Sequence, residues 1–176
     1  QQLPPLDIQY SDYIYWEKDW LNGEHYQQQL KYWQKQLQDI PPVHALPLSY
    51  PRPATQTFAG DRVFTVIQPS ERQSLQHLCE QQDATLFMGL YSLLSVLMGH
   101  YSNETDIVIG APSANRQQSE LQSLIGFFVN NLVLRCDLST NPGFKQLLKQ
   151  NRTVVLDAFK HQQVPFDKIV DSVIPQ

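Results

Sequence analysis

Along these 176 residues, segments with strand character alternate with segments of helical period. That alternation predicts an α/β domain in which helices pack on one mixed β-sheet in a two-layer sandwich. Two further observations support the class. Apolar residues make up 41% of the chain and aromatic residues 11%, enough for a sizeable core. Apolar positions recur at three- and four-residue spacing in some stretches, and run or alternate over roughly 4–8 residues in others.

Each element follows from its own residues. The opening QQLPPLDIQ is Pro-rich and reads as an extended arm. Tyr13, Trp16 and Trp20 then form one aromatic stripe of a helix within YSDYIYWEKDW. A second helix runs through Tyr26, Leu30, Trp33 and Leu37, with Asn22 as its N-cap. PPVHALPLSYPRPAT cannot be helical, because its prolines lack amide donors and push preceding residues into extended geometry. It predicts a long arm crossing a surface. Residues 61–68, DRVFTVIQ, alternate well enough for a strand. Ser70 is the expected cap of the helix that follows, whose inner face carries Leu75, Leu78 and Cys79.

The near-continuous apolar helix over residues 85–99 is expected to be buried all round. TDIVIGAP reads as a short strand of the mid-sheet kind, SANRQQSELQS as a polar loop, and VNNLVLRC as another strand. NPGFKQLLKQNRTVVLDAFKH is amphipathic through Phe144, Leu147, Leu148, Asn151, Val154, Val155 and Ala158. VPFDKIVDSV opens a last helix, with Pro165 in its first turn. The chain thus divides into N-terminal helices with the Pro-rich crossing arm (1–60) and an α/β core (61–176).

Composition excludes several classes of function. A net charge of −4 with scattered basic residues leaves no nucleic-acid surface. The longest apolar run falls short of the ~20 residues that span a membrane, and no secretory signal is present. Cys79 and Cys136 lack CxxC spacing and read as core thiols of a reducing, cytoplasmic compartment. No metal signature, Ser–His–Asp spacing or phosphate-cradling Gly loop occurs. His25 and His77 lie among polar helix residues and are expected to face solvent. His100 and His161 follow long helices, where a cation is favourable, so capping competes with chemistry at both. The chain starts without Met and stops directly after a helical pattern, as expected of a piece excised from a longer polypeptide.

One stretch stands out. Asn130 and Asn131 sit inside the apolar strand that follows the turn Gly126–Phe127–Phe128. Asn is disfavoured in strands, and a buried amide without partners costs about 1–3 kcal/mol. Successive strand side chains face opposite ways, so one amide can bond a neighbouring layer while the other lines a groove. Either both serve the adjoining loops or one meets a ligand. Arg135, further along the strand, needs a partner for its charge.

Three ordered motifs together resemble the condensation domains of nonribosomal peptide synthetases. YSDYIYW (residues 10–16) is similar to that family's Tyr-x-Asp-Tyr/Phe-Ala-x-Trp motif, with Ile14 in place of Ala. IGFFVNNLVLR (residues 125–135) is similar to Ile/Val-Gly-x-Phe-Val-Asn-Thr, with Asn131 in place of Thr. HQQVPFD (residues 161–167) is similar to His/Asn-Gln-x-x-Pro-Phe-Glu/Asp. The resemblance covers nearly the whole chain, but the hallmark HHxxxDG that supplies the family's His is absent. It implies a chloramphenicol acetyltransferase-like fold, with this chain as the C-terminal lobe of a two-lobed domain and HHxxxDG on the missing N-terminal lobe.

In that family an aminoacyl amine on one peptidyl carrier protein attacks an acyl or peptidyl thioester on another. No cofactor is bound directly; 4'-phosphopantetheine arrives on the donor and acceptor carrier domains, and an adenylation domain neighbours them. By the resemblance, Asn130 is the catalytic candidate, facing the reaction channel and orienting a substrate carbonyl or amide by hydrogen bonding, and Ser113, Arg116 and Phe128 are candidates for contacting substrate or the pantetheine arm. Tyr10, Asp12, Trp16, Gly126, Arg135, His161 and Pro165 are structural motif residues, with Arg135 paired to the acid of the missing motif or to a local carboxylate. Asn131 is expected to be structural. An epimerisation or ester-forming domain of the same fold, or a non-catalytic carrier-binding lobe, are the alternatives.

Overall fold

A computed structural model describes residues 5–55 and 57–173. The start of the Pro-rich opening and the last three residues, both covered by sequence expectations, lie outside the described residues. In chain order the elements are helices α1 (Tyr10–Leu21), α2 (Glu24–Gln36), α3 (Pro69–Glu80) and α4 (Leu86–Ser102), strand β1 (Asp106–Ser113), a 3₁₀ turn (Ser119–Leu121), strand β2 (Asn130–Asp137), and helices α5 (Phe144–Lys160) and α6 (Phe166–Val173). β1 and β2 pair in a two-stranded sheet among the described residues. They run antiparallel: the Leu138 amide, just past β2, donates to the Thr105 carbonyl, just before β1, at 2.7 Å.

Helix starts use their third residue. The Gln9 amide donates to the Asp12 carboxylate at 2.8 Å to open α1, and the Gln68 amide does the same to Glu71 at 2.9 Å to open α3. Each carboxylate thereby satisfies an otherwise orphaned amide and complements the helix dipole. The expected caps differ. Asn22 closes α1, its Nδ2 donating to the Lys18 carbonyl at 3.0 Å, and Gly23 caps α2. Ser70 lies inside α3, because Pro69 already fits the first helical position, where no amide is needed.

Two compact units divide the chain. The first takes the described parts of Gln1–Ile40, Val108–Arg135 and Leu156–Gln176. Here α2 packs on α6 and buries Tyr26, Trp33, Leu37 and Ile169. A smaller aromatic cluster joins Tyr13, Leu121, Leu124 and Phe128, flanked by Ile8 and Tyr10. The second unit comprises Pro41–Ile107 and Cys136–Val155. In it α3 packs on α4, and Gly89 permits the approach: a Cβ there would lie 2.5 Å from Cys79 Sγ. Both cysteines are free and buried.

Three expectations fail, two of them in this second unit. Residues 61–68 form no strand among the described residues; Val63 is 99% and Phe64 85% exposed. Alternation alone makes no strand, which exists only through a ladder partner. Nor is α4 buried all round. Its inner face is made of Met88, Gly89, Tyr91, Ser92, Ser95, Gly99 and Ser102, while Phe87, Leu90, Leu93, Leu94, Val96, Leu97 and Tyr101 are exposed. The buried serines are satisfied within the helix: Ser92, Ser95 and Ser102 donate to the Met88, Tyr91 and Met98 carbonyls, each at 2.8 Å. Asn151 of α5 donates to Ser92 Oγ at 2.9 Å. β1 is likewise only partly buried rather than central to a sheet.

Candidate functional site

Phe128, Asn130, Leu132, Leu134 and Cys136 are buried, while Phe127, Val129 and Asn131 are exposed. The alternation of an extended chain thus sends Asn130 inward and Asn131 outward. Asn130 spends its amide on the turn between α5 and α6. Nδ2 donates to the Gln162 and Val164 carbonyls, both at 2.8 Å, and Oδ1 accepts from the Phe166 amide at 3.0 Å. That last bond satisfies an orphan donor at the start of α6. Both N–H groups of Asn130 are therefore engaged within the protein. The substrate-orienting contact expected of it has no free donor, whereas the side chain of Asn131 makes no hydrogen bond among the described residues.

The first and second motifs lock together. Tyr10 OH donates to the Phe127 carbonyl at 3.0 Å, and its ring lies over Gly126, where a Cβ would come within 2.3 Å of Tyr10 Cδ2 and 2.9 Å of Phe128 Cε2. Gly126 is required by that close approach. Phe128, expected to meet substrate, is 4% exposed and packs edge-on against Tyr10 and Tyr13, with centroids 5.2 and 4.8 Å away. Burial pushes the Tyr13 hydroxyl well above its ordinary pKa, and the Glu17 carboxylate, which accepts from it at 2.9 Å, adds to the shift. Trp16 is 40% exposed and stacks on Trp20.

Arg116 turns inward. Its Nη1 donates to the Leu121 and Leu124 carbonyls and its Nη2 reaches the Gly126 carbonyl, while the guanidinium sits 4.0 Å over the Phe128 ring. Ser113 is buried and donates to Gln162 Oε1 at 2.6 Å. Both side chains spend these hydrogen bonds within the protein. Arg135 donates from Nη1 to the Gln36 and Gln38 carbonyls at 3.0 and 2.9 Å. Helix α2 ends there, so carbonyls at a helix C-terminus receive the cation.

His161 does cap. Its Nδ1 lies 2.7 Å from the Asp157 carbonyl, its ring stacks on Tyr32 at 3.9 Å, and its own carbonyl accepts from Trp33 Nε1 at 3.0 Å. Burial pushes the Tyr32 hydroxyl up to about 12. Pro165 precedes α6, and its carbonyl accepts from the Ile169 amide at 3.1 Å.

The three motifs meet at one open cleft of about 360 Å³. Tyr10, Tyr13 and Glu17 line it from α1, residues 127–131 from β2 and the turn before it, and Gln163, Pro165, Phe166 and Asp167 from the α6 start, with Asn115 beside them. Asn130 reaches this cleft; Ser113 and Arg116 do not line it. Phe127 and Asp167 belong to the second and third motifs but are not among the expected site residues, and Glu17 lies outside all three motifs, because exposure and convergence carry no periodic signal. Among the described residues no group of three His, Cys, Asp or Glu is placed to hold a metal ion, and no helix is long and apolar enough to cross a membrane.

Comparisons with known proteins agree with the motifs. Residues 1–176 match the family described as Condensation domain. The chain is 41% identical over 172 residues to a linear gramicidin synthase of Brevibacillus parabrevis, covering 98% of this chain and 3% of that protein. It is 43% identical over 173 residues to Malpinin synthetase of Mortierella alpina, covering 98% and 2%. It therefore spans only a few per cent of the length of these relatives. Among solved structures it resembles the X-domain from teicoplanin biosynthesis, with TM-score 0.91 and 28% identity over 99% of this chain and 40% of that one. It also resembles a four-domain nonribosomal peptide synthetase bound to AMP and glycine, with TM-score 0.81 and 32% identity over 84% and 11%. The α/β, chloramphenicol acetyltransferase-like class expected from the motifs is the fold these likenesses give. By its match along the full length, the chain belongs to the condensation domain family.

Proposed function

We propose that this chain is the C-terminal lobe of a nonribosomal peptide synthetase condensation domain and supplies one wall of an amide-forming site. The observation that carries the reading is the meeting of all three motifs at one cleft, in a chain that matches the family throughout. The other wall, with HHxxxDG, belongs to an N-terminal lobe of the same enzyme. Donor and acceptor carrier domains bring the reactants on 4'-phosphopantetheine arms, next to an adenylation domain. The acceptor amine attacks the thioester carbonyl, a C–N bond forms, the C–S bond breaks, and the donor arm leaves as its thiol while the amine loses a proton.

This lobe contributes position rather than a reacting group. Asn130 holds residues 162–166 against β2, and Gly126 with Tyr10 fixes the turn before it. Ser113 and Arg116 act at one remove, through Gln162 and the carbonyl of Leu124, while Phe128 lines the cleft itself. Holding reactants in line is a large source of rate, so a fixed wall is a mechanistic contribution. The test loads both carrier domains of the parent enzyme and follows dipeptidyl product by intact mass. Product forms with the whole enzyme and none with the 176-residue chain as sole catalyst; product from the chain alone, or none from the parent, contradicts the reading.

A second reading has one observation in its favour. The X-domain from teicoplanin biosynthesis, 29% identical here with TM-score 0.88, is known in a complex with OxyB. A lobe that only recruits a protein partner would leave the parent without product while still binding that partner.

A further inference from the structure

The described residues lining the cleft include two carboxylates, Glu17 and Asp167, and no lysine, arginine or histidine. Only one Glu17 oxygen is occupied among the described residues, by Tyr13 OH. Asp167 opens α6, with Lys168 Nζ 3.5 Å away in a largely exposed pair that water screens. The same cleft is lined by Phe127, 79% exposed, and Val129 from the turn before β2, and by Asn131 of β2, whose side chain makes no hydrogen bond among the described residues. Phe166 adds a second half-open ring. This lining repels an anion, and an uncharged apolar group would have to desolvate carboxylates with nothing to pair them. A cation at the end of an aliphatic stem fits both features: the rings cover the stem and attract the charge, and carboxylate and amide oxygens accept its N–H groups.

We propose that this cleft selects a group ending in an organic cation, such as the side chain of a basic amino acid, with Glu17 and Asp167 supplying charge, Asn131 Oδ1 an acceptor, and Phe127 and Phe166 the walls of the stem. The inference deepens the condensation reading and rests on it for the identity of the ligand. The probes are n-butylammonium and its neutral counterpart 1-butanol, followed by saturation-transfer NMR on the parent enzyme. Butylammonium binds and 1-butanol does not. The double variant Glu17→Gln, Asp167→Asn, which keeps size and the Tyr13 hydrogen bond, weakens butylammonium binding about tenfold with an unchanged melting temperature. Equal binding of the two probes, no binding of butylammonium, or binding untouched by the double variant overturns it. The two readings fail separately. Peptide-bond formation without butylammonium binding removes the cation site alone; butylammonium binding in a parent that forms no peptide bond removes the condensation reading alone.

Discussion

At the scale of single residues, hydrogen-bond bookkeeping decides what an unexpected side chain is for. An asparagine in a strand invites a reading as a ligand contact, but Asn130 meets two carbonyls and one amide of residues 162–166. Asn130→Ala leaves those groups unpaired and mostly out of water, and is expected to cost about 2–4 kcal/mol in urea unfolding of the chain, near the upper end for a buried multi-bond amide. Asn130→Asp keeps the acceptor for Phe166 but loses both donors, and should recover only part of that. Gly126→Ala drives a methyl into the Tyr10 and Phe128 rings and should cost about 1–3 kcal/mol. The double variant with Tyr10→Ala should cost less than the sum of the two, as a double-mutant cycle reads directly. The motif residues themselves were legible from sequence. Their partners were not, because Gln162, Val164 and Phe127 contribute main-chain carbonyls, which every residue carries.

At the scale of elements, period located the helices and missed what covers them. α1, α2, α3, α5 and α6 follow apolar spacing closely, and Asp12 of the first motif has a local task as the third residue of a capped helix. α4 shows the limit. Its composition is so apolar that no face is marked, yet the buried side is the one with small residues, where Gly89 and three serines allow close packing. Residues 61–68 carry a strand pattern without a partner, which no property of the segment could reveal. Thr85 caps α4 by accepting from the Met88 amide at 3.3 Å, so Thr85→Ala should lower stability by about 1 kcal/mol in thermal unfolding. Gly89→Val sets two methyls against Cys79 and Leu75 and should cost more than Thr85→Ala.

For the whole molecule, burial of hydroxyls and thiols sets the response to pH. Burial raises the pKa of Tyr13, Tyr26, Tyr32, Tyr91, Cys79 and Cys136 from ordinary values of 10.0 for Tyr and 9.0 for Cys. The unfolded chain therefore releases these protons at lower pH than the folded one, and above about 9 it binds fewer of them. Stability from these groups is fully present below that pH and is lost as pH rises toward the folded values, so the melting temperature should hold from neutrality to about 8.5 and then fall steadily toward pH 11. The claim that joins the scales is that the Asn130 clamp on residues 162–166 shapes an amide-forming wall. The most direct test is single-turnover dipeptide formation by the parent enzyme carrying Asn130→Ala, at a temperature where its melting curve shows it fully folded. The account predicts chemistry slowed at least about tenfold, a barrier increase of about 1.4 kcal/mol, with acceptor KM changed far less. A folded variant that condenses its substrates at the parental rate would contradict it.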